Sequence, residues 1–249
     1  MSLQTVLVTG GNRGIGLELV RQLLAEPNPP KHLITTTRPT TNRVELDTLV
    51  AQHPNLHVLH MESKAYDSFA ATGGIADQIQ QIVGTRGLDT LIINAGIAIS
   101  KELDNVTAND MIENFEINTV SPLMLTKALL PLLKVASVQR KTAVVNISSR
   151  VGSIELAKPK PEGQWFSRYP YRCSKAALNM ISQCLSNDLK QDNIYVISMH
   201  PGHLKTQLGG PTAPIDVNDG VKGVIKQIKL IDDNSNGKLV SHEGGLVPW

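Results

Sequence analysis

The sequence predicts an α/β chain folded as a single domain, with a doubly wound, seven-stranded, mostly parallel sheet and helices on both faces. Three observations lead there. Short apolar runs rich in β-branched residues alternate with amphipathic stretches along the whole chain. The first such run opens at once into a glycine-rich turn and a helix. Small-residue turns, Asn94-Ala95-Gly96, Ser148-Ser149 and Pro201-Gly202, then follow later strands at the end where an open parallel sheet binds its ligands. The 249 residues are enough to bury a large core in one domain spanning 1–249, and no repeat, low-complexity tract or linker divides them.

The first strand is Thr5 to Thr9, followed by Gly10-Gly11-Asn12-Arg13-Gly14-Ile15-Gly16 and a helical run from Leu17 to Ala25. Gly10 permits the tight turn, Gly14 lets the backbone approach a pyrophosphate, and Gly16 lets the helix pack close to the strand. The free N–H groups and positive end of the helix face the anion. A glycine-rich turn without a ligand is the plainer alternative. Pro27 to Pro30 stop the helix, and Lys31 to Arg38 reads as a second strand. Its tip, Thr37-Arg38-Pro39, lacks the acid that would accept the ribose 2′-hydroxyl of NAD; the next acid is Glu45. Arg38 and Arg13 suit a 2′-phosphate through forked guanidinium hydrogen bonds, which favours NADP(H) over NAD(H), although Arg38 also fits a solvated loop.

A helix from about Arg43 to Gln52 leads to a third strand, Leu56 to Met61, and then to a helix from Asp67 to Val83 weakened by Gly73-Gly74. Leu88 to Ile93 is the fourth strand and ends in Asn94-Ala95-Gly96. Thr107, with Asp110 after it, caps a long helix that reaches 129–134, carries Asn118 and is bent by Pro122 and Pro131. Thr142 to Ile147, the fifth strand, delivers Ser148-Ser149. A helix from Tyr171 to about Lys190 precedes the sixth strand, Tyr195 to Met199, which ends in Pro201-Gly202-His203-Leu204-Lys205-Thr206. Residues 207–218 have the composition of a lid, and Gly237 to Val240 is the seventh strand.

The chemistry centres on Tyr171 and Lys175. At the start of a helix they stand one turn apart on one face, so a phenol and an ammonium serve one reacting centre. Reducing a carbonyl requires a hydride donor, a proton donor for the nascent alkoxide, and hydrogen bonds where negative charge develops. Tyr171 can give the proton, and nearby positive charge favours its anion. Trp165, Phe166, Tyr169 and Tyr171 cluster in a chain with only 4% aromatic residues. They form either the wall of a substrate cleft or an ordinary loop anchored by Trp165.

Composition excludes other classes. The net charge is +2, from 24 basic and 22 acidic residues mixed along the chain, and no basic block is interleaved with aromatics. Nucleic acid and membrane surfaces are therefore not expected partners. Two cysteines, Cys173 and Cys184, exclude a disulfide framework and a four-cysteine metal site, and no metal is expected. The chain starts almost directly in a strand, without a basic segment or a long apolar run, so the expected location is cytoplasmic.

Taken together, the ordered landmarks Thr9-Gly10-x-x-x-Gly14-Ile15-Gly16, Asn94-Ala95-Gly96, Asn118, Ser149, Tyr171-x-x-x-Lys175 and Pro201-Gly202 resemble those of the single-domain short-chain dehydrogenases/reductases. Within that family the chain is most similar to sniffer-type carbonyl reductases and C-factor-like proteins. The shared features are Tyr171-Arg172-x-Ser174-Lys175 with Ala177-Leu178-Asn179 after it, His200-Pro201-Gly202-x-x-Lys205-Thr206, Gly209-Gly210-x-x-Ala213-Pro214-Ile215-Asp216, and Trp249. The resemblance implies a Rossmann-type fold, carbonyl reductase or alcohol dehydrogenase activity on a small aldehyde or ketone, and a homodimer or homotetramer. It implies that Ser149 hydrogen-bonds the substrate oxygen, with Ser148 as the rival, and that Asn118 positions a water in a proton relay to Lys175. Cofactor contacts are implied for Gly10, Asn12, Arg13, Gly14, Ile15, Gly16, Arg38, Asn94, Ala95, Gly96, Tyr171, Lys175, Pro201, Gly202, Leu204 and Thr206. Glu62 stands where the family often has an aspartate against adenine. The interval from Ser149 to Tyr171 is longer than the family's common spacing, so residues 153–168 form an insertion at the substrate mouth, opposite a substrate loop at about 203–220. The alternative function is a non-catalytic, NADP(H)-binding signalling or interaction protein. A sugar-nucleotide epimerase or dehydratase would need a larger substrate region than the residues after Pro201 provide.

Overall fold

The computed structural model describes residues 1, 3–157 and 169–249; of the expected insertion at 153–168, residues 158–168, with Trp165 and Phe166, lie outside them. Strands β1 (Thr5–Thr9), β2 (His32–Thr37), β3 (Leu56–His60), β4 (Thr90–Ile93), β5 (Thr142–Ile147), β6 (Ile194–His200), β7 (Leu239–Ser241) and β8 (Leu246–Val247) form one sheet in the order β3-β2-β1-β4-β5-β6-β7-β8. The first seven run parallel, as expected, and β8 turns back antiparallel to β7. This eighth strand is too short to show a period. Its cue is the pair Gly244-Gly245, both at positive φ, which reverses the chain after β7.

The chain winds outward from β1 through β2 to β3, then crosses to β4 and winds outward the other way. The carboxyl ends of β1 and β4 therefore flank the point where strand order reverses, and an open sheet leaves a crevice there. Helices α1 (Gly14–Leu24), α2 (Val44–Gln52) and α7 (Val217–Lys229) bury their apolar faces on one side, with Leu19, Leu23, Leu46 and Val224 fully enclosed. Helices α3 (Ile75–Val83), α5 (Ser121–Ser137) and α6 (Tyr169–Asp188) cover the other, with Ile79 of α3, Leu125 and Leu129 of α5, and Leu189 just past α6 in the core there. Both faces are covered, which explains why β1 and β5 are buried at every residue instead of alternating.

Two helices differ from those the sequence predicts. α3 starts only at Ile75, because Gly73 has a positive φ of 74° and separates it from a short 3-10 turn at Tyr66–Ser68. The long helix expected after Thr107 is α4 (Ala108–Phe115), a π-helical segment Glu116–Val120, and α5. The break falls just before Pro122, which has no N–H to continue the α-helical pattern, and it carries Asn118. Thr107 caps α4 reciprocally: its hydroxyl accepts from Asp110 N at 3.1 Å while Asp110 Oδ2 accepts from Thr107 N at 2.9 Å. Replacing Thr107 with Ala should cost about 1 kcal/mol of stability, read as a lower urea midpoint at unchanged slope.

Candidate active site

The carboxyl ends of β1, β2, β4, β5 and β6 lie along the crevice. After β1, Gly10 and Gly14 adopt positive φ values of 72° and 54°, as expected for a turn that brings the backbone to a ligand. A Cβ at Gly16 would lie 2.1 Å from the Gly10 carbonyl, so the first turn of α1 can sit against the loop only because this residue is glycine. Arg13, the residue before α1, makes no side-chain cap, and the first turn carries no acid. The N–H groups there are set for an external anion. Asn12 is half-buried, Arg13 and Gly14 are exposed and Ile15 packs on the core. Thr9 organises the whole corner: its Oγ1 accepts from Asn94 N (3.0 Å) and Ala95 N (2.9 Å), while Asn94 Nδ2 donates back to the Thr9 carbonyl at 2.9 Å. The turn after β4, Asn94-Ala95-Gly96, is thereby locked beside Gly10, where a Cβ would meet Ala95 Cα at 3.3 Å.

At the tip of β2 Arg38 is exposed, and Glu62, just past β3, is exposed beside it through Met61 N, which donates to the Thr37 carbonyl at 3.0 Å. Two residues that the sequence did not flag stand here. The hydroxyls of Thr37 and Thr41 are buried and have no hydrogen-bond partner among the described residues, a condition native structures rarely leave in place. Glu45, the next acid along the chain, is ion-paired with Arg21. Arg13 is engaged across the crevice: its guanidinium donates to Gln207 Oε1. Thr206 faces the same loop, 3.7 Å from where a Cβ on Gly14 would lie.

The loop holding Pro201, Gly202, Leu204 and Thr206 is closed on itself. Leu204 bridges to Ile215, Lys205 N donates to the Ile215 carbonyl (2.9 Å), and Gly209 N donates to Thr206 Oγ1 (3.1 Å). Pro201 and Leu204 are buried, and Gly202 lies so near His242 that a side chain would meet the imidazole at 2.9 Å. His200, at the end of β6, is pulled down to about 4, first by burial and then by the nearby charges of Arg150, His242 and His203. It is neutral at physiological pH.

The chemistry-bearing residues meet where β5 ends under α6. Lys175 is 5% exposed; its Nζ donates to the Ile147 carbonyl at 2.8 Å and lies 5.7 Å from the centroid of the Tyr171 ring. Gly152 lets the chain after Ser149 press onto α6, since a Cβ there would sit 2.8 Å from Lys175 C. Arg172 Nε adds a bond to the Val151 carbonyl at 3.1 Å. Ser148 is buried and donates to Asn179 Oδ1 at 2.6 Å, whereas Ser149 is half-buried and, among the described residues, accepts only a 3.3 Å bond from Val151 N. Of the two hydroxyls, Ser149 is the one that remains available at the crevice. Asn118 is buried with its carboxamide fully engaged: Oδ1 accepts from Ile97 N (2.9 Å), and Nδ2 donates to the Ile97 carbonyl (2.8 Å) and Ser174 Oγ (3.0 Å). Its side chain clamps the segment after β4 to α6. The root of the expected insertion is anchored as well, by Glu155 N donating to the Trp249 carbonyl at 2.8 Å.

A doubly wound sheet with a glycine cradle at its switch point, and a Tyr-x-x-x-Lys pair one strand away, defines a dinucleotide-dependent oxidoreductase domain. The short chain dehydrogenase family profile matches residues 4–214, and the chain belongs to that family. It is similar in structure to the carbonyl reductase Sniffer of D. melanogaster, at 36% identity and a TM-score of 0.92, each chain covered in full. It is equally similar to an NADPH-bound carbonyl reductase from chicken fatty liver, at 37% identity and a TM-score of 0.92 over 100% of this chain and 96% of that one. The C-signal protein of Myxococcus xanthus is 36% identical over 168 residues, 67% of this chain and 96% of that protein. The chain is thus an oxidoreductase by family, and its cradle fits a nicotinamide dinucleotide.

Burial brings Lys175 from its usual 10.5 to about 8. The folded protein therefore binds fewer protons than the unfolded chain between those two values, so stability rises with pH across that window and the burial cost is felt in full below it. Lys175→Met should stabilise the protein by about 2–3 kcal/mol at pH 7, with the advantage shrinking toward pH 10. Chemical unfolding of both proteins across pH 7–10 checks this; a pH-independent difference would contradict it.

Proposed function

We propose that this chain is an NADP(H)-dependent carbonyl reductase acting on a small aldehyde or ketone, with Tyr171 as the proton donor. The observation that carries the reading is the buried Lys175 ammonium held between the Ile147 carbonyl and the Tyr171 ring, directly below the strand end that presents Ser149. The similarity to two carbonyl reductases at 36% and 37% identity supports it.

The nicotinamide, when bound, supplies the hydride. The chain's own residues do the rest. The glycine loop and the free N–H groups of α1 bind the pyrophosphate, and Asn94-Ala95-Gly96 lines the crevice beside it. Ser149 donates to the substrate oxygen where charge develops, and Tyr171 delivers the proton to that oxygen. Lys175 favours the phenolate left behind and is placed to hold ribose hydroxyls. The Asn118 carboxamide is spent on its clamp, so its part in a proton relay falls to its main-chain carbonyl. Four residues on stands Pro122, which offers that carbonyl no N–H. The loop at 203–220 closes the substrate side.

Preference for NADP(H) rests on the tip of β2: an exposed Arg38, the buried hydroxyls of Thr37 and Thr41, unpartnered among the described residues, and Glu45 already bound to Arg21. A homodimer is proposed on α4 and α6, which pack side by side and leave Ile112, Phe115 and Met180 at 57%, 41% and 62% exposure. The similarity to C-signal favours a second reading, an NADP(H)-binding interaction protein without turnover.

Turnover separates the two readings. NADPH oxidation over a panel of aldehydes and ketones should be measurable and should fall by at least ~10²-fold in Tyr171→Phe; no turnover across the panel, or undiminished turnover in the variant, overturns the reductase reading. Fluorescence titration should show tighter binding of NADPH than of NADH, and Arg38→Asp should weaken NADPH by roughly 1–3 kcal/mol. Tighter NADH binding by the unmodified protein would refute the assignment of Arg38.

A further inference from the structure

The helix that carries Tyr171 and Lys175 meets the sheet through polar atoms where a core helix usually brings apolar ones. On its inward face Ser174, Lys175, Asn179, Ser182 and Ser186 are all buried. Opposite them lie Asn146 of β5, Ser148 just past the end of that strand, and Ser198 of β6, each at most 3% exposed. Two rungs cross the gap. Ser148 Oγ donates to Asn179 Oδ1 at 2.6 Å. Asn146 Nδ2 donates to Ser182 Oγ at 2.9 Å, where Ser198 Oγ also donates at 2.9 Å, and Ser182 passes its own proton to the Leu178 carbonyl at 3.0 Å. Between the rungs an acceptor, Asn146 Oδ1, and a donor, Asn179 Nδ2, are buried without a partner among the described residues. Asn146 is 1% exposed and Asn179 2%. An acceptor and a donor left over in this way are the complement that one bridging water would satisfy.

Asn179 lies one turn beyond Lys175 on the same face, and its partner Ser148 is the residue before Ser149. The bond from Lys175 Nζ to the Ile147 carbonyl closes a small loop of contacts through the same strand end. An apolar contact would let α6 slide along the sheet at little cost, because the hydrophobic effect has no direction. Buried hydrogen bonds do not, since each is costly to leave unmade.

We infer that Asn179 is a positioning residue for the reaction proposed above: through Ser148, and a water shared with Asn146, it sets Ser149 against Lys175 and Tyr171. The inference rests on the reductase reading for its consequence in catalysis, but not for its geometry.

Three proteins test it: the unmodified chain, Asn179→Leu, and Ser148→Ala combined with Asn179→Leu. Asn179→Leu should lower the thermal midpoint, because it strands the Ser148 hydroxyl, and should reduce kcat by roughly 10- to 100-fold with NADPH affinity unchanged. The double variant, with both partners apolar, should regain thermal stability while kcat stays low. If kcat returns together with stability, Asn179 is merely structural and the inference is overturned. If the unmodified protein turns over no carbonyl, the reductase reading fails, and crystal structures of the unmodified protein and Asn179→Leu decide the positioning claim. They should show a water between Asn146 Oδ1 and Asn179 Nδ2 in the first and a shift of about 0.5 Å or more in the Ser149–Lys175 separation in the second; an unchanged separation overturns it.

Discussion

The site depends on one costly interaction, the Lys175 amine buried on the Ile147 carbonyl. Burial disfavours its charge, and a single carbonyl is a thin replacement for water. The surroundings hold it there from every side. Gly152 brings the chain after β5 against the backbone of α6, Arg172 ties that chain down through Val151, and Thr119 Oγ1 donates to the Ser174 carbonyl at 3.0 Å. A cation held so firmly next to a phenol is of no use to packing. In the proposed mechanism it serves a proton transfer, a trade of stability for function of the kind active sites make.

The same bonds join the two halves of the crevice. Thr9 locks the turn after β4 to the glycine loop, and Asn118 locks the segment after that turn to α6 through Ile97 and Ser174. A few directional contacts thus run without a gap from the glycine loop to α6. The loop at 203–216 is tied differently. It is braced within itself by the Leu204–Ile215 bridge and the Lys205–Asp216 ion pair, and it reaches the glycine loop through Arg13 and Gln207.

Much of this was legible in the sequence because it is local. The turn from Thr9 to Gly16 is specified by its glycines, β1 and β5 by unbroken apolar runs, and the start of α4 by Thr107 and Asp110. Tyr171 and Lys175 declare their shared face by spacing alone. What the sequence hid depends on partners far along the chain. The family resemblance picks out Asn118, but the clamp its carboxamide makes is visible only once Ile97 and Ser174 are folded beside it, and the π-helical turn that carries it has no period of its own. Ser148 and Ser149 look alike until Asn179 claims the first. Thr37 and Thr41 become conspicuous only when their hydroxyls are seen to lack partners, and two-residue β8 is too short to announce itself.

In the proposed mechanism the Lys175–Tyr171 pair completes a hydride transfer to a carbonyl carbon. The most direct test uses NADPH deuterated at both C4 positions with an aldehyde that the protein reduces, followed by mass spectrometry of the alcohol. The unmodified protein should place one deuterium on the carbinol carbon, and Lys175→Met should form labelled alcohol only at a rate lower by orders of magnitude. Alcohol without the label, or labelling undiminished in the variant, would contradict it.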